Sequence, residues 1–339
     1  MATTSRRNRL AQSHEPQPRR WLITPLFAGT LIGLALMTLL LPGGYDGWLY
    51  YLQPWFPETT APGTVHLLLS PLTLLPPDPD PFRWTALVLL SLVVVRWAAW
   101  VWDVPWWITI YSVPMLWNLW LGQIELMAVA GAAIGWLVIQ RRLPVAWLGL
   151  AGLLLVIKVQ VGWGLALLYV WWLWRDRGWH ALITPAIVAV DLILVTLVIY
   201  PGWTAHWLAS LEQLGPQDLY FNSAIFPLGL VAWAFALLPV KMGRLRRARL
   251  IAAATLLGSP YFANYHCTTL MSMQNRPLML VVSWLTVVPL LLFVGERYTW
   301  AQSFAWLIPA ALIALELWGV YQNRKRRVEH PPNRVIVND

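Results

Sequence analysis

A few ionisable side chains in this sequence stand where an apolar chain has little reason to keep them. Asp46 lies in GGYDGWLYY (residues 43–51), just after a long uncharged apolar run. Glu125 lies in LWLGQIELMAV, Lys158 in LLLVIKVQVGWG with Gln160 beside it, and His266 in GSPYFANYHCTTL. Asp191 sits near the middle of a further apolar stretch. An ionisable group in a hydrocarbon environment is costly, so each is a functional hypothesis by default. Plainer roles exist for all of them. Lys158 could snorkel to an interface, Asp191 could pair with a basic neighbour, and His266 could be a packing histidine. Asp46 could be a turn residue, since Gly-Gly-Tyr-Asp-Gly is rich in turn formers.

Together they suggest a chemistry. A carboxylate at the outer end of the first apolar run suits a general base that takes a proton from a hydroxyl acceptor. A buried cation such as Lys158, with a histidine, suits a leaving phosphate whose negative charge grows as its bond breaks. A base on one side and an anion clamp on the other is the layout for glycosyl transfer from a lipid phosphate.

The elements that must position these groups follow from composition. Hydrophobic residues make up 58% of the 339-residue chain and charged residues 12%, against about 25% charged in a typical soluble domain. Apolar runs at 21–41, 181–200 and 277–294 approach or reach the ~20 residues that cross a bilayer. The runs are continuous rather than alternating, which predicts an all-α polytopic membrane protein and excludes a β-barrel. Net charge is +9, but the basic residues fall in short clusters between apolar runs: RR at 141–142, RDR at 175–177, KMGRLRRAR at 241–249 and NRKRR at 323–327. That is the positive-inside pattern, not the basic face of a nucleic-acid-binding module. The single cysteine, Cys267, excludes an internal disulfide and a thiolate zinc site.

With residues 1–20 as a disordered cytoplasmic tail, the first run is an uncleaved anchor that carries the chain outward. Residues 21–320 form one integral membrane domain and residues 321–339 a basic cytoplasmic tail. Residues 64–75 are too short to cross and are expected to lie in the outer interface. Spans are expected at 82–102, 104–121, 123–140, 143–158, 160–174, 179–200, 223–241 and 249–263, with apolar segments at 277–295 and 300–320. Parity places NRKRR inside only if residues 264–276 also cross, or if one late segment does not. About nine to eleven spans result. Most of the 25 tryptophans read as interfacial anchors, with Trp48 or Trp55 available to stack on a sugar.

The order of an apolar anchor, YDGWLYY, LLSPLTLLPP, LGQIELMAVAGAAIGWLVIQRR, LLLVIKVQVGWGLALLYVWWLWRDR and GSPYFANYH resembles glycosyltransferase family 87 over residues 20 to 295. These are membrane mannosyltransferases of the C-type superfamily that use polyprenyl-phosphate sugars. The resemblance implies a C-type glycosyltransferase-like bundle with short outer interfacial helices. It implies that Asp46 is the catalytic base and that Lys158 and His266 bind the donor phosphate. Gly122 and Gln123 match the family's GQ pair, and Tyr265 and His266 its late His-Tyr region in reversed order. Where the family carries Asn two positions after Gln, this chain has Glu125. Tyr45, Tyr50, Gln123, Glu125, Gln160 and Tyr265 are the expected substrate-pocket residues.

The expected partners are a polyprenyl-phosphate sugar donor, a lipid or glycan acceptor and the bilayer, with no nucleic acid. The expected site is at the outer face of the plasma (inner) membrane. Inverting, metal-independent chemistry without a cofactor is expected, since DPD at 78–80 is flanked by prolines and reads as a loop break. The competing readings are a transporter or flippase, and a catalytically silent scaffold related to the glycosyltransferases.

Overall fold

The computed structural model describes residues 25–46, 62–75, 81–212, 222–288 and 304–329. Among them every regular element is helical. The first is α1 (Pro25–Leu40), followed by α2 (Gly63–Thr73) and α3 (Pro81–Trp102). The expected span at 104–121 is two short helices, α4 (Trp106–Ile110) and α5 (Val113–Leu121). Ser112 divides them: it is extended, and its hydroxyl accepts from the Met115 N–H as an N-cap.

The centre of the bundle is α6 (Glu125–Ile139), buried along almost its whole length. Small residues let its neighbours come close, as in membrane-type helix packing. A Cβ on Gly135 would stand 2.3 Å from the Tyr169 ring, and the Tyr169 hydroxyl donates to the Ala132 carbonyl at 3.0 Å. Against α6 pack α7 (Trp147–Ile157) and α8 (Val159–Arg177), a helical hairpin, as well as α3. Beyond them lie α9 (Ile183–Ile199), α10 (Trp203–Glu212) and the short α11 (Val231–Leu237).

The helix after it, α12 (Arg244–Leu257), begins earlier than its apolar run. The basic stretch RLRRAR, expected as a loop, forms its first turns instead. Arginine is a good helix former, and the charges that argued for a loop find partners. Arg244 pairs with Asp176 at 2.7 Å and Arg249 with Glu316 at 3.0 Å. By contrast, the expected span at 223–241 keeps only a 3₁₀ turn and α11 as helix.

The last elements are α13 (Cys267–Met271), α14 (Pro277–Leu285) and α15 (Leu307–Glu329). They bear on the parity question. His266 faces Glu125 at one end of α6, whereas Arg276 reaches Glu316, beside the first turns of α12, at the other. Residues 264–276 therefore travel between the two levels in spite of their short length. The helix expected to end near 320 continues to Glu329.

The short helix α2 does not merely rest on the bundle. Val65 and Leu69 pack with Leu87, Ile124, Leu126, Met127 and Leu154, and Arg83 donates to the carbonyls of Leu75 and Thr73 at 3.0 Å each. A guanidinium thus satisfies the carbonyls that a helix end leaves open. Two helical stretches, Pro81–Trp102 and Trp179–Ile199, are long and apolar enough to cross a membrane by length and composition. Large apolar side chains are exposed around the bundle, among them Ile32, Leu36, Val93, Leu167, Ile187 and Val198.

Candidate active site

Asp46 is held by the turn that precedes it. Gly44 adopts φ +75° and donates its N–H to the Trp120 carbonyl at 2.7 Å. The Trp84 ring covers the two glycines, so closely that a Cβ on Gly44 would stand 2.6 Å from it. Trp84 is itself fixed by an Nε1–H bond to the Leu119 carbonyl at 2.8 Å, and Trp120 Nε1 donates to the Pro42 carbonyl at 3.0 Å. Gly43 and Gly44 thus lie in the irregular stretch after α1, Tyr45 and Asp46 begin a helical turn, and the glycines dock the aspartate onto the C-terminus of α5. Gly44→Ala is expected to lose about 1–3 kcal/mol of stability from the left-handed backbone alone. It should also displace Asp46; the measurement is a lower melting temperature than the parent's.

Gln123 follows a second left-handed glycine, Gly122 (φ +71°). The Gln123 N–H returns to the Asn118 carbonyl at 2.9 Å, closing α5 as a Schellman motif. That closure sends the Gln123 amide between two charges. Its Nε2 donates to Asp46 Oδ2, and its Oε1 accepts from Lys158 Nζ at 2.8 Å. The charges fix which way the amide points, since only its oxygen can face an ammonium.

Lys158 is the non-helical corner between α7 and α8. It is buried, so it does not snorkel. Its Nζ lies 3.7 Å from Glu125 Oε1 and 5.3 Å from the centre of the Tyr265 ring, a cation–π distance. Glu125 opens α6, and its N–H donates to Asn118 Oδ1 at 3.3 Å. On its far side stands His266, with Nε2 at 3.8 Å from the same Oε1. His266 Nδ1 accepts from the Ala263 N–H at 2.8 Å, so in the neutral ring the proton is on Nε2, facing Glu125.

Asn222, which the sequence did not single out, holds the loop that delivers this histidine. Its Oδ1 accepts from the N–H groups of Ala224 and Phe262 at 2.9 and 3.1 Å, and its Nδ2 donates to the Pro260 carbonyl at 3.1 Å. Asn118 also escaped notice. An amide side chain in an otherwise apolar helix, WNLW, was the available signal.

The structure thus brings Asp46, Gln123, Glu125, Lys158, Tyr265 and His266 into one chain of contacts. Tyr45 is exposed beside Asp46 and lines a recess of about 370 Å³. Gln160 is half-buried and makes no hydrogen bond to the cluster among the described residues. Tyr50, Trp48 and Trp55 lie outside the described residues. Asp191 is exposed on α9, with no ion pair among the described residues, so the basic neighbour that could have excused it is not seen.

The space between Lys158 and His266 is filled by the Glu125 carboxylate instead of lying open. Both of its oxygens are buried without a hydrogen bond, as are Asn264 Oδ1 and the Thr268 and Thr269 hydroxyls. Buried polar atoms are almost always satisfied in folded proteins, so this concentration makes the cluster the candidate site. Asp46, beyond the apolar run of α1, has its carboxyl raised above the ordinary 3.8 by burial, against the opposing Gln123 hydrogen bond and Lys158 charge. An apolar groove of about 360 Å³ runs beside this end of the bundle, lined in part by Leu34, Met37, Trp84, Trp117, Trp120 and Trp284. Trp84 and Trp120, which fix the Asp46 turn, are walls of both structures. Comparison with known proteins gives no matching family model and no matching curated protein or solved structure.

Proposed function

We propose that this chain is a polytopic membrane glycosyltransferase of the C-type kind, moving a hexose, mannose by preference, from a polyprenyl-phosphate donor to a hydroxyl acceptor. The observation that carries the reading is the Asp46–Gln123–Lys158 relay, with His266 beyond it. It couples a part-buried carboxylate to a buried cation, the arrangement that acceptor activation and phosphate departure require. The groove beside Asp46 has the apolar and aromatic lining that suits a polyprenyl chain.

Membrane residence draws on the apolar exterior, since exposed apolar surface on this scale is rare on soluble monomers. Helix α9 is the extreme case, with most of its apolar side chains outside. The basic residues Arg141, Arg175, Arg177 and Arg244 cluster where α6 ends and α12 begins, and Asp46 lies by the start of α6. Under the positive-inside rule, that distribution supports a relay at the outer face of the inner membrane.

In the proposed reaction the acceptor hydroxyl gives its proton to Asp46 as its oxygen attacks the anomeric carbon. The bond from that carbon to the phosphate oxygen breaks, and its electron pair leaves with the polyprenyl phosphate. Attack from the opposite face inverts the anomeric configuration. Lys158 and the Nε2–H of His266 take up the growing negative charge. For the phosphate to reach them, Glu125 must turn aside or carry a proton. A second reading, a glycosyltransferase-like scaffold without turnover, draws on that same carboxylate, which occupies the anion's place.

The deciding experiment supplies the purified full chain with radiolabelled polyprenyl-phosphate mannose and a panel of lipid acceptors. Labelled product supports the enzyme; no product with any acceptor or donor sugar favours the scaffold. A pH profile adds a further check. A base whose carboxyl is raised loses function on acidification earlier than an ordinary one. The acid limb of kcat/KM is therefore expected above pH 3.8, and a rate that is flat down to that pH would exclude Asp46 as the base.

A further inference from the structure

A second polar cluster lies at the opposite end of the bundle and takes no part in the proposed transfer. Glu316, on α15, is buried and faces three arginines: Arg246 Nε at 2.9 Å, Arg249 Nη1 at 3.0 Å and Arg276 Nη2 at 3.7 Å. One carboxylate therefore answers three guanidinium groups. Buried charge is tolerated when it is paired, and here the pairing is incomplete on the cationic side. Arg249 is buried, and its Nη2 has no hydrogen-bond partner, although Nε donates to the Met273 carbonyl at 2.7 Å.

Beside this cluster lies a recess of about 750 Å³, whose lining includes Lys241, Arg246, Arg249, Asn275, Asn323 and Arg324. None of the described lining residues is acidic. Four cations and two amides converge there, with donors from α12, from α15 and from the segment before α14. A planar guanidinium fork fits the oxygens of a tetrahedral oxyanion in bidentate fashion. The recess is far larger than one ion, which leaves room for an ester substituent.

We infer that this recess, built on the Arg246–Glu316–Arg249 cluster, is a binding site for a phosphate-bearing ligand. The phosphate sits against Arg246, with Lys241 and Arg324 closing over it and the buried Arg249 guanidinium behind. The site is independent of the transfer chemistry, since it shares no residue with the Asp46 relay. The phosphate can come from an anionic lipid headgroup at the membrane surface or from a soluble phosphate ester.

The test uses the full chain with two probes at fixed ionic strength. Inorganic pyrophosphate is titrated onto protein in neutral detergent. In parallel, protein in phosphatidylcholine nanodiscs is compared with protein in nanodiscs that also hold phosphatidylglycerol, and thermal unfolding is read in both arms. A rise in melting temperature is expected in at least one arm: the pyrophosphate arm alone identifies a soluble ligand, the lipid arm alone a headgroup. The K241Q/R324Q variant leaves the Glu316 ion pairs in place and is expected to weaken apparent affinity roughly a hundredfold, about tenfold for each of two charge-assisted contacts. A second variant, Val320→Trp, narrows the recess without removing a charge and should weaken the response. Failure of both probes to raise the melting temperature overturns the proposal, as does a response that survives unchanged in both variants.

Discussion

Asp46→Asn is expected to fold like the parent and to lose sugar transfer roughly a hundred- to ten-thousandfold, the usual worth of a positioned general base. Asparagine keeps the size of the side chain and an oxygen to accept from Gln123 Nε2, so the turn on Trp84 and Trp120 stays intact. What disappears is the capacity to take a proton. The loss should fall on kcat with little change in KM for the donor, because Asp46 touches the acceptor side of the reaction. Melting temperature and labelled-product formation are the two measurements. A variant with parental turnover would remove Asp46 from the mechanism.

Lys158→Met carries the second large effect, and it divides into two parts. The ammonium is the cation nearest Glu125, so its removal leaves a buried carboxylate uncompensated. Breaking such a pair typically costs about 3–5 kcal/mol. At 3.7 Å the two groups are outside hydrogen-bonding distance, so the lower end of that range is expected. The catalytic part is separate: loss of a donor aimed at a departing anion lowers turnover by roughly a hundred- to a thousandfold. The double variant E125Q/K158M distinguishes the two. It should recover most of the melting temperature, since no lone charge remains buried, and should recover none of the transfer. Recovery of both would make Lys158 a structural counter-ion to Glu125 and would leave the phosphate without its clamp.

Glu125 illustrates how a single departure can be read only in three dimensions. In the sequence it is an acid in an apolar run, two positions after the glutamine. In the structure it is the group between Lys158 and His266, and its two oxygens lack hydrogen bonds. Glu125→Gln therefore belongs in the same series: a gain in transfer would identify the carboxylate as a brake on phosphate entry.

The apolar composition alone made the chain helical, and run length placed α2 and α3 nearly to the residue. The expected spans 143–158 and 160–174 met beside Lys158, where the structure has the corner between α7 and α8. The three residues proposed for chemistry were conspicuous for a physical reason: an isolated charge in an apolar segment costs free energy, so it stands out. The basic stretch 244–249 was misleading, because helix or loop depended on whether those charges found partners. Glu316, which supplies one, lies far along the chain and inside the helix ALIALELWGV.

The sequence by itself determined the helical class, the uneven placement of charge and the identity of the unusual side chains, all of which are local properties. The tertiary structure alone decided that Gln123 joins Asp46 to Lys158, that Glu125 fills the gap before His266, and that three arginines share Glu316. Those contacts join segments far apart in the chain. Their geometry comes from how the glycine turns and small-residue helix faces pack, and no single segment encodes it.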